Sequence, residues 1–219
     1  MQGFKAEGIV LKRRNFGEAD RILTILSKSK GKIVVLAKGV RRITSRRAGN
    51  VELLNRVSIY LHQTKGIPIL TEAESIENFS RLKEDLILST VAFHIIELAD
   101  KLTAENQENG ILYNHLVEVL QRLGKNPRQI LVRAFEAKIL SNLGFMSFRE
   151  IREEKSPVDS SSGGIGELLK DLEIASWDEI EKKEINQKQA LEVERILRYH
   201  LERVIEGSLK SRQFLKKYE

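Results

Sequence analysis

Twelve residues, Lys38-Gly39-Val40-Arg41-Arg42-Ile43-Thr44-Ser45-Arg46-Arg47-Ala48-Gly49, hold five cations, no acid, and a glycine near each end. Guanidinium and ammonium groups so concentrated do one thing well: they neutralise phosphates and release the counterions condensed around them. A second group precedes it. Lys12, Arg13 and Arg14 are followed, after Asn15, by Phe16, and Arg21 lies a turn further on. Cations beside an aromatic ring suit a single strand, whose bases stack on ring faces. Phe16 has two readings, a stacking platform or a side chain packed into the core. Candidate phosphate-binding residues are therefore Lys12, Arg13, Arg14, Arg21, Lys38, Arg41, Arg42, Arg46 and Arg47. Few aromatics accompany them, so binding should lean on phosphates and show little sequence preference.

The charge is placed, not spread. Residues 1–50 carry 13 Lys and Arg against 3 Asp and Glu, a net +10, which leaves −4 for the remainder of a chain whose total is +6. Such asymmetry points to nucleic acid or an acidic surface as partner of the N-terminal part.

Strands must hold these loops. Ala6–Lys12, Arg21–Leu26, Ile33–Ala37, Val57–Leu61 and Ile69–Ile76 read as five strands, with turn signals at Ser29-Lys30-Gly31-Lys32 and Lys65-Gly66. Val57, Ile59 and Leu61 alternate with Ser58, Tyr60 and His62, the period of a half-buried strand. Five short strands and one long loop predict an OB-fold barrel over residues 1–79, a fold whose strand face and loops bind oligonucleotides. The basic run is then the long loop, fixed at both ends.

From Ser80 the period becomes helical, giving an α+β chain with a helical domain over 80–219. One helix is expected over about 81–103, apolar nearly all round. A second covers Ile111–Leu123. For a third, Asn126 suits the cap, Pro127 the first helical position and Gly144 the stop. A last helix spans Gln189–Glu206, closed by Gly207. The stretch at about 145–187, with Ser156–Gly164 at its centre, reads as a surface excursion.

Composition excludes several chemistries. With 41% hydrophobic and 31% charged residues the chain is globular, and with no cysteine it has neither disulfides nor thiolate ligands nor a cysteine nucleophile. His62, His94, His115 and His200 are scattered without ligand spacing, and no metal site or cofactor is expected. His94 and His200 read as hydrogen-bonded core or boundary residues. The glycines are turn formers, too far apart for a phosphate-cradling P-loop. Glu18, Asp20 and Arg21 form a salt-bridged turn that fixes Arg21 rather than a catalytic group, so no catalytic residue and no enzymatic activity are expected. The first residues lack the apolar core of a signal peptide, and Leu86–Ile96 is too short to span a bilayer. The cytoplasm, in association with the nucleoid, is the expected location.

Four stretches resemble the bacterial recombination-mediator family RecO: Glu7-Gly8-Ile9-Val10-Leu11-Lys12-Arg13-Arg14-Asn15-Phe16-Gly17-Glu18-Ala19-Asp20-Arg21-Ile22-Leu23-Thr24; Gly31-Lys32 with Ala37-Lys38-Gly39-Val40-Arg41-Arg42; Phe135–Phe145; and Tyr199-His200-Leu201 with Leu209–Leu215. The resemblance implies an OB-fold followed by a helical domain. It also implies binding to single- and double-stranded DNA, annealing of complementary strands, and help in loading RecA onto DNA coated with single-strand-binding protein, together with RecR. Many members of that family carry a four-cysteine zinc site where this chain has residues 145–166 and no thiol. The other reading of the residues is an OB-fold adaptor for RNA or a protein, with DNA contact incidental. At the C-terminus, Lys210, Arg212, Lys216 and Lys217 with Phe214 either extend a DNA track or dock a terminal helix.

Overall fold

Alternation builds the barrel. In β4 (Arg56–His62) Val57, Ile59 and Leu61 are buried, while Ser58, Tyr60 and His62 face outward. In β3 (Gly31–Ala37) Ile33, Val35 and Ala37 turn inward in the same way. With β1 (Gly3–Phe16), β2 (Asp20–Ser27) and β5 (Ile69–Glu77) they close in the order β1-β2-β3-β5-β4. This computed structural model describes residues 3–148, 164–205, 209 and 211.

The first strand serves two neighbours. Its N-terminal half pairs antiparallel with β4, from Gly3↔His62 to Ile9↔Arg56. Its C-terminal half pairs antiparallel with β2, from Gly8↔Ser27 to Phe16↔Asp20. A bulge between Val10 and Lys12 bends the strand where the partners change. The barrel closes through one parallel bridge, Leu36↔Ile69, backed by the Leu36 amide donating to the Pro68 carbonyl at 2.9 Å. This is the five-stranded OB-fold barrel followed by helices, an α+β chain.

The helices follow as α1 (Ser80–Glu84), α2 (Leu86–Leu102), α3 (Gly110–Lys125), α4 (Gln129–Asn142), α5 (Ile165–Ile174), α6 (Trp177–Lys182) and α7 (Gln187–Val204). Three expectations change. The helix expected over 81–103 breaks at Asp85, whose extended backbone and side chain cap the Ile87 and Leu88 amides and start α2 afresh. Leu86, Ile87 and Phe93 are also exposed, so α2 is not apolar to its neighbours all round. The third helix starts at Gln129: Asn126 instead ends α3, its amide bonding the Arg122 carbonyl, and the chain needs Pro127 and Arg128 to turn. Gly144 does end α4, in a left-handed conformation.

The third change concerns the expected surface excursion. Within it α5 and α6 bury Ile165, Leu168, Leu169, Leu172, Trp177 and Ile180 in the same core as α2, α3, α4 and α7. A capping box at Ser176 and Glu179 starts α6, and another at Asn186 and Gln189 starts α7. Ser156 to Gly163, Gly207 and the C-terminal cations lie outside the described residues. His94 is buried between α2 and α4, its Nε2 2.9 Å from Glu136 Oε1 and its Nδ1 3.2 Å from Ser211 Oγ. Burial pushes the Glu136 carboxyl up, but Arg133 and His94 outweigh it and hold the group ionised.

Barrel and helices share one seam. Ile9, Leu11 and Leu26 turn away from the barrel interior and join the helical core. Gly31 passes so close to the 103–109 segment that an added Cβ would meet the Gln107 carbonyl oxygen at 2.0 Å, and its φ of +64° independently favours glycine. Lys32 Nζ donates to the Asp100 carbonyl at 2.5 Å. At the centre Glu7 Oε1 accepts from Arg56 Nε at 2.8 Å, Arg56 Nη2 at 2.6 Å and Tyr113 Oη at 2.8 Å. Burial raises the Glu7 carboxyl, but these hydrogen bonds prevail and hold it below the usual carboxylate range. A depressed carboxyl stabilises the fold above its unfolded value, and that stability is lost as pH falls through the folded value. Glu7→Gln should therefore cost about 1–2 kcal/mol at pH 7 and less near pH 3. Urea unfolding at the two pH values measures this.

Candidate nucleic-acid interface

The basic run is a loop folded on itself between β3 and β4. Backbone bonds from Arg42 to Gly39, Ser45 to Arg42, Ala48 to Ser45 and Val51 to Arg47 wind it into successive turns. Val40 and Val51 plug it into the barrel interior, both fully buried. Asp20 Oδ1 accepts the Gly39 amide at 2.7 Å, and the Arg41 amide reaches the Ala19 carbonyl at 2.8 Å. The loop thus begins against the β1–β2 turn, which brings the two basic groups of the sequence to one end of the barrel.

Arg47 clamps the middle. Its Nη1 donates to the Leu70 carbonyl at 2.6 Å and to Thr71 at 3.3 Å, and its Nη2 to Lys38 at 2.9 Å. Asn50 Nδ2 adds a bond to the Ala73 carbonyl at 2.8 Å. At the far end Asn55 Nδ2 caps the Gly49 and Asn50 carbonyls, while its Oδ1 accepts from Lys83 of α1. Burial and the neighbouring Arg13 both lower the Lys83 ammonium.

The nine candidate cations divide by what they touch. Arg13 and Arg21 share one carboxylate, Glu52, Arg21 Nη1 at 3.0 Å from Oε1 and Arg13 on Oε2. Burial and then Arg21 lower the Arg13 guanidinium, in keeping with two like charges at one partner. The salt bridge expected within the turn is therefore made elsewhere: Arg21 takes Glu52, and Asp20 takes a backbone amide. Lys12 leans toward Asp100 of α2 at 4.0 Å. Arg47 has its donors on carbonyls. Arg14, Lys38, Arg41, Arg42 and Arg46 are exposed and make no ion pair among the described residues, Arg41 holding only the Gly17 carbonyl at 3.2 Å.

Phe16 ends β1 beside this group with 51% of its surface exposed, so it is not core. The geometry places exposed cations and one exposed ring at one end of the barrel. A cleft of about 710 Å³, lined by Lys30, Val34, Ile67, Glu105 and Glu108 among others, includes none of the nine cations and mixes both signs. Among the described residues no group of three or more His, Asp or Glu is placed to hold a metal ion. No described helix is long and apolar enough to cross a membrane.

Sequence reasoning missed Glu52 and the clamp role of Arg47. Glu52 is the first acid after the basic run, and that position was its only signal.

Comparison with known proteins decides the family. The family model "Recombination protein O N terminal" matches residues 1–79, and "Recombination protein O C terminal" matches residues 83–147. The chain belongs to the RecO family of DNA repair proteins. It is 29% identical to the DNA repair protein RecO of Pelotomaculum thermopropionicum over 245 aligned positions, covering 100% of this chain and 95% of that protein. Similarity to RecO of Acetivibrio thermocellus is higher, 38% over 147 residues, but covers 66% of this chain and 59% of that protein. RecO of Desulforudis audaxviator gives 37% over 145 residues, 66% of this chain and 58% of that protein. The RecO family model for the N-terminal part thus contains the barrel and all nine cations.

The division between clamping and unpaired cations makes a test. Arg47→Ala leaves three carbonyl bonds unmade and should lower stability by about 1–3 kcal/mol. Arg42→Ala removes an exposed, unpaired side chain and should stay within about 0.5 kcal/mol of the parent. Thermal unfolding of the two variants side by side provides the measurement.

Proposed function

We propose that the chain is a non-enzymatic recombination mediator that binds single- and double-stranded DNA through the barrel end formed by the 38–50 loop and the β1–β2 turn. The observation that carries this is the set Arg14, Lys38, Arg41, Arg42 and Arg46. These cations lack a carboxylate partner among the described residues, and the loop that bears four of them is held at both ends. Unpaired cations on a fixed body attract a polyanion and lose little entropy on binding it.

Arg13, Arg21, Lys12 and Arg47 then serve a different part. With carboxylate or carbonyl partners of their own, they place the unpaired cations and contribute to the local potential. Phe16 supplies a ring for one base of a bound strand. Neutralised phosphates let two complementary strands approach, and pairing between their bases supplies the specificity. Family membership supports the remaining parts of the reading: annealing, cooperation with RecR and single-strand-binding protein, and indirect loading of RecA.

Reversing Arg14, Arg41, Arg42 and Arg46 to Glu together tests it. Binding of a labelled single strand should weaken about a hundredfold or more, and annealing of complementary strands should stop. Thermal unfolding should change little, because the four side chains contribute to the described fold only the exposed Arg41 bond to the Gly17 carbonyl. Annealing at the parent rate by the folded variant would refute the reading.

A further inference from the structure

Ile43 stands at the crest of the basic loop with a relative exposure of 105%, as open to water as in an extended peptide. The next most exposed large apolar side chain among the described residues is Leu86, at 68%. A lone exposed apolar residue on a surface is ordinary. This one is not alone in a relevant sense. Arg41 and Arg42 precede it, Arg46 follows, and none of the three has an ion-pair partner among the described residues. The crest is braced, with Val40 buried on one side and the Arg47 clamp on the other. A β-branched side chain has little rotamer freedom to lose on insertion.

We propose that Ile43 is an apolar wedge that enters between two adjacent bases of bound DNA and unstacks them, while the flanking arginines hold the phosphates on either side. This rests on the DNA-binding reading above and adds what the loop does to the nucleic acid. Apolar side chains set among cations are the device by which proteins open a base step. In a polyanion whose phosphates engage Arg41, Arg42 and Arg46, the apolar matter within reach of Ile43 is the base stack. A base freed from its neighbour presents its pairing edge to an incoming complementary strand, so the wedge and the annealing surface act on the same nucleotides.

The test uses the full chain and oligonucleotides, single-stranded and duplex, that carry 2-aminopurine, a base whose fluorescence rises when it is unstacked. Saturating parent protein should raise the signal at least about twofold, and Ile43→Leu should preserve the rise. Ile43→Ser should abolish most of it while weakening binding less than about tenfold, with the salt dependence unchanged, because phosphates dominate affinity. Since Ile43 packs against nothing, folding of the serine variant is not in question. An equal fluorescence rise with Ile43→Ser would overturn the wedge alone, as would parent protein that saturates the DNA without any rise. Absence of binding at low salt would overturn both the wedge and the reading beneath it. Phosphatidylserine vesicles provide the remaining arm. Cosedimentation lost in Ile43→Ser, with the 2-aminopurine signal intact, would assign the residue to a lipid surface instead.

Discussion

Everything at the basic end of the barrel depends on the Arg47 guanidinium and the backbone carbonyls it holds. Like charges packed into twelve residues repel one another, and an unsupported loop would swing them apart. Arg47 resolves this by bonding Leu70 and Thr71 of β5 and Lys38 at the start of its own loop. One cation is thereby committed to holding the others. Glu52 does the same for the β1–β2 side, drawing Arg13 and Arg21 to a single carboxylate. What is left unpaired is left unpaired at fixed positions.

The helical part contributes through the seam. Lys83 of α1 reaches Asn55, and Asn55 caps the end of the basic loop, so the loop is braced from outside the barrel as well as within. Glu7, Arg56 and Tyr113 lock β1 and β4 to α3. Since β1 also carries Arg13, Arg14 and Phe16, the same strand that joins the two parts ends at the candidate interface. Its two faces serve different cores, Val10 facing the barrel interior and Ile9 and Leu11, on the other face, joining the helical core.

Much of this was legible in the sequence. Alternation gave β4, and a turn signal followed by an apolar run gave β3, each to within about two residues, and the position of the basic run between them followed. The break at Asp85 was not legible, because apolar periodicity continues across it and only the cap geometry shows that a new helix begins. Helices α5 and α6 were obscured by the serine- and glycine-rich stretch before them, although Leu168, Leu169 and Leu172 carry helical spacing and Trp177 is an unusual residue to leave on a surface. The types of residue at the candidate interface were readable as well. Their division into clamps and unpaired cations was not, since it is set by carbonyls 23 and 24 residues away and by one acid just beyond the run. Sequence reports charge, whereas only the fold reports where a donor is already engaged.

The account rests on five unpaired cations acting together on phosphates, and salt reads that number most directly. Binding of a labelled single strand across a salt series should give a straight line of log affinity against log salt with a slope of about −3 to −4, from roughly 0.7 per phosphate for each of the five. A slope near zero, or no binding at the lowest salt, would contradict it.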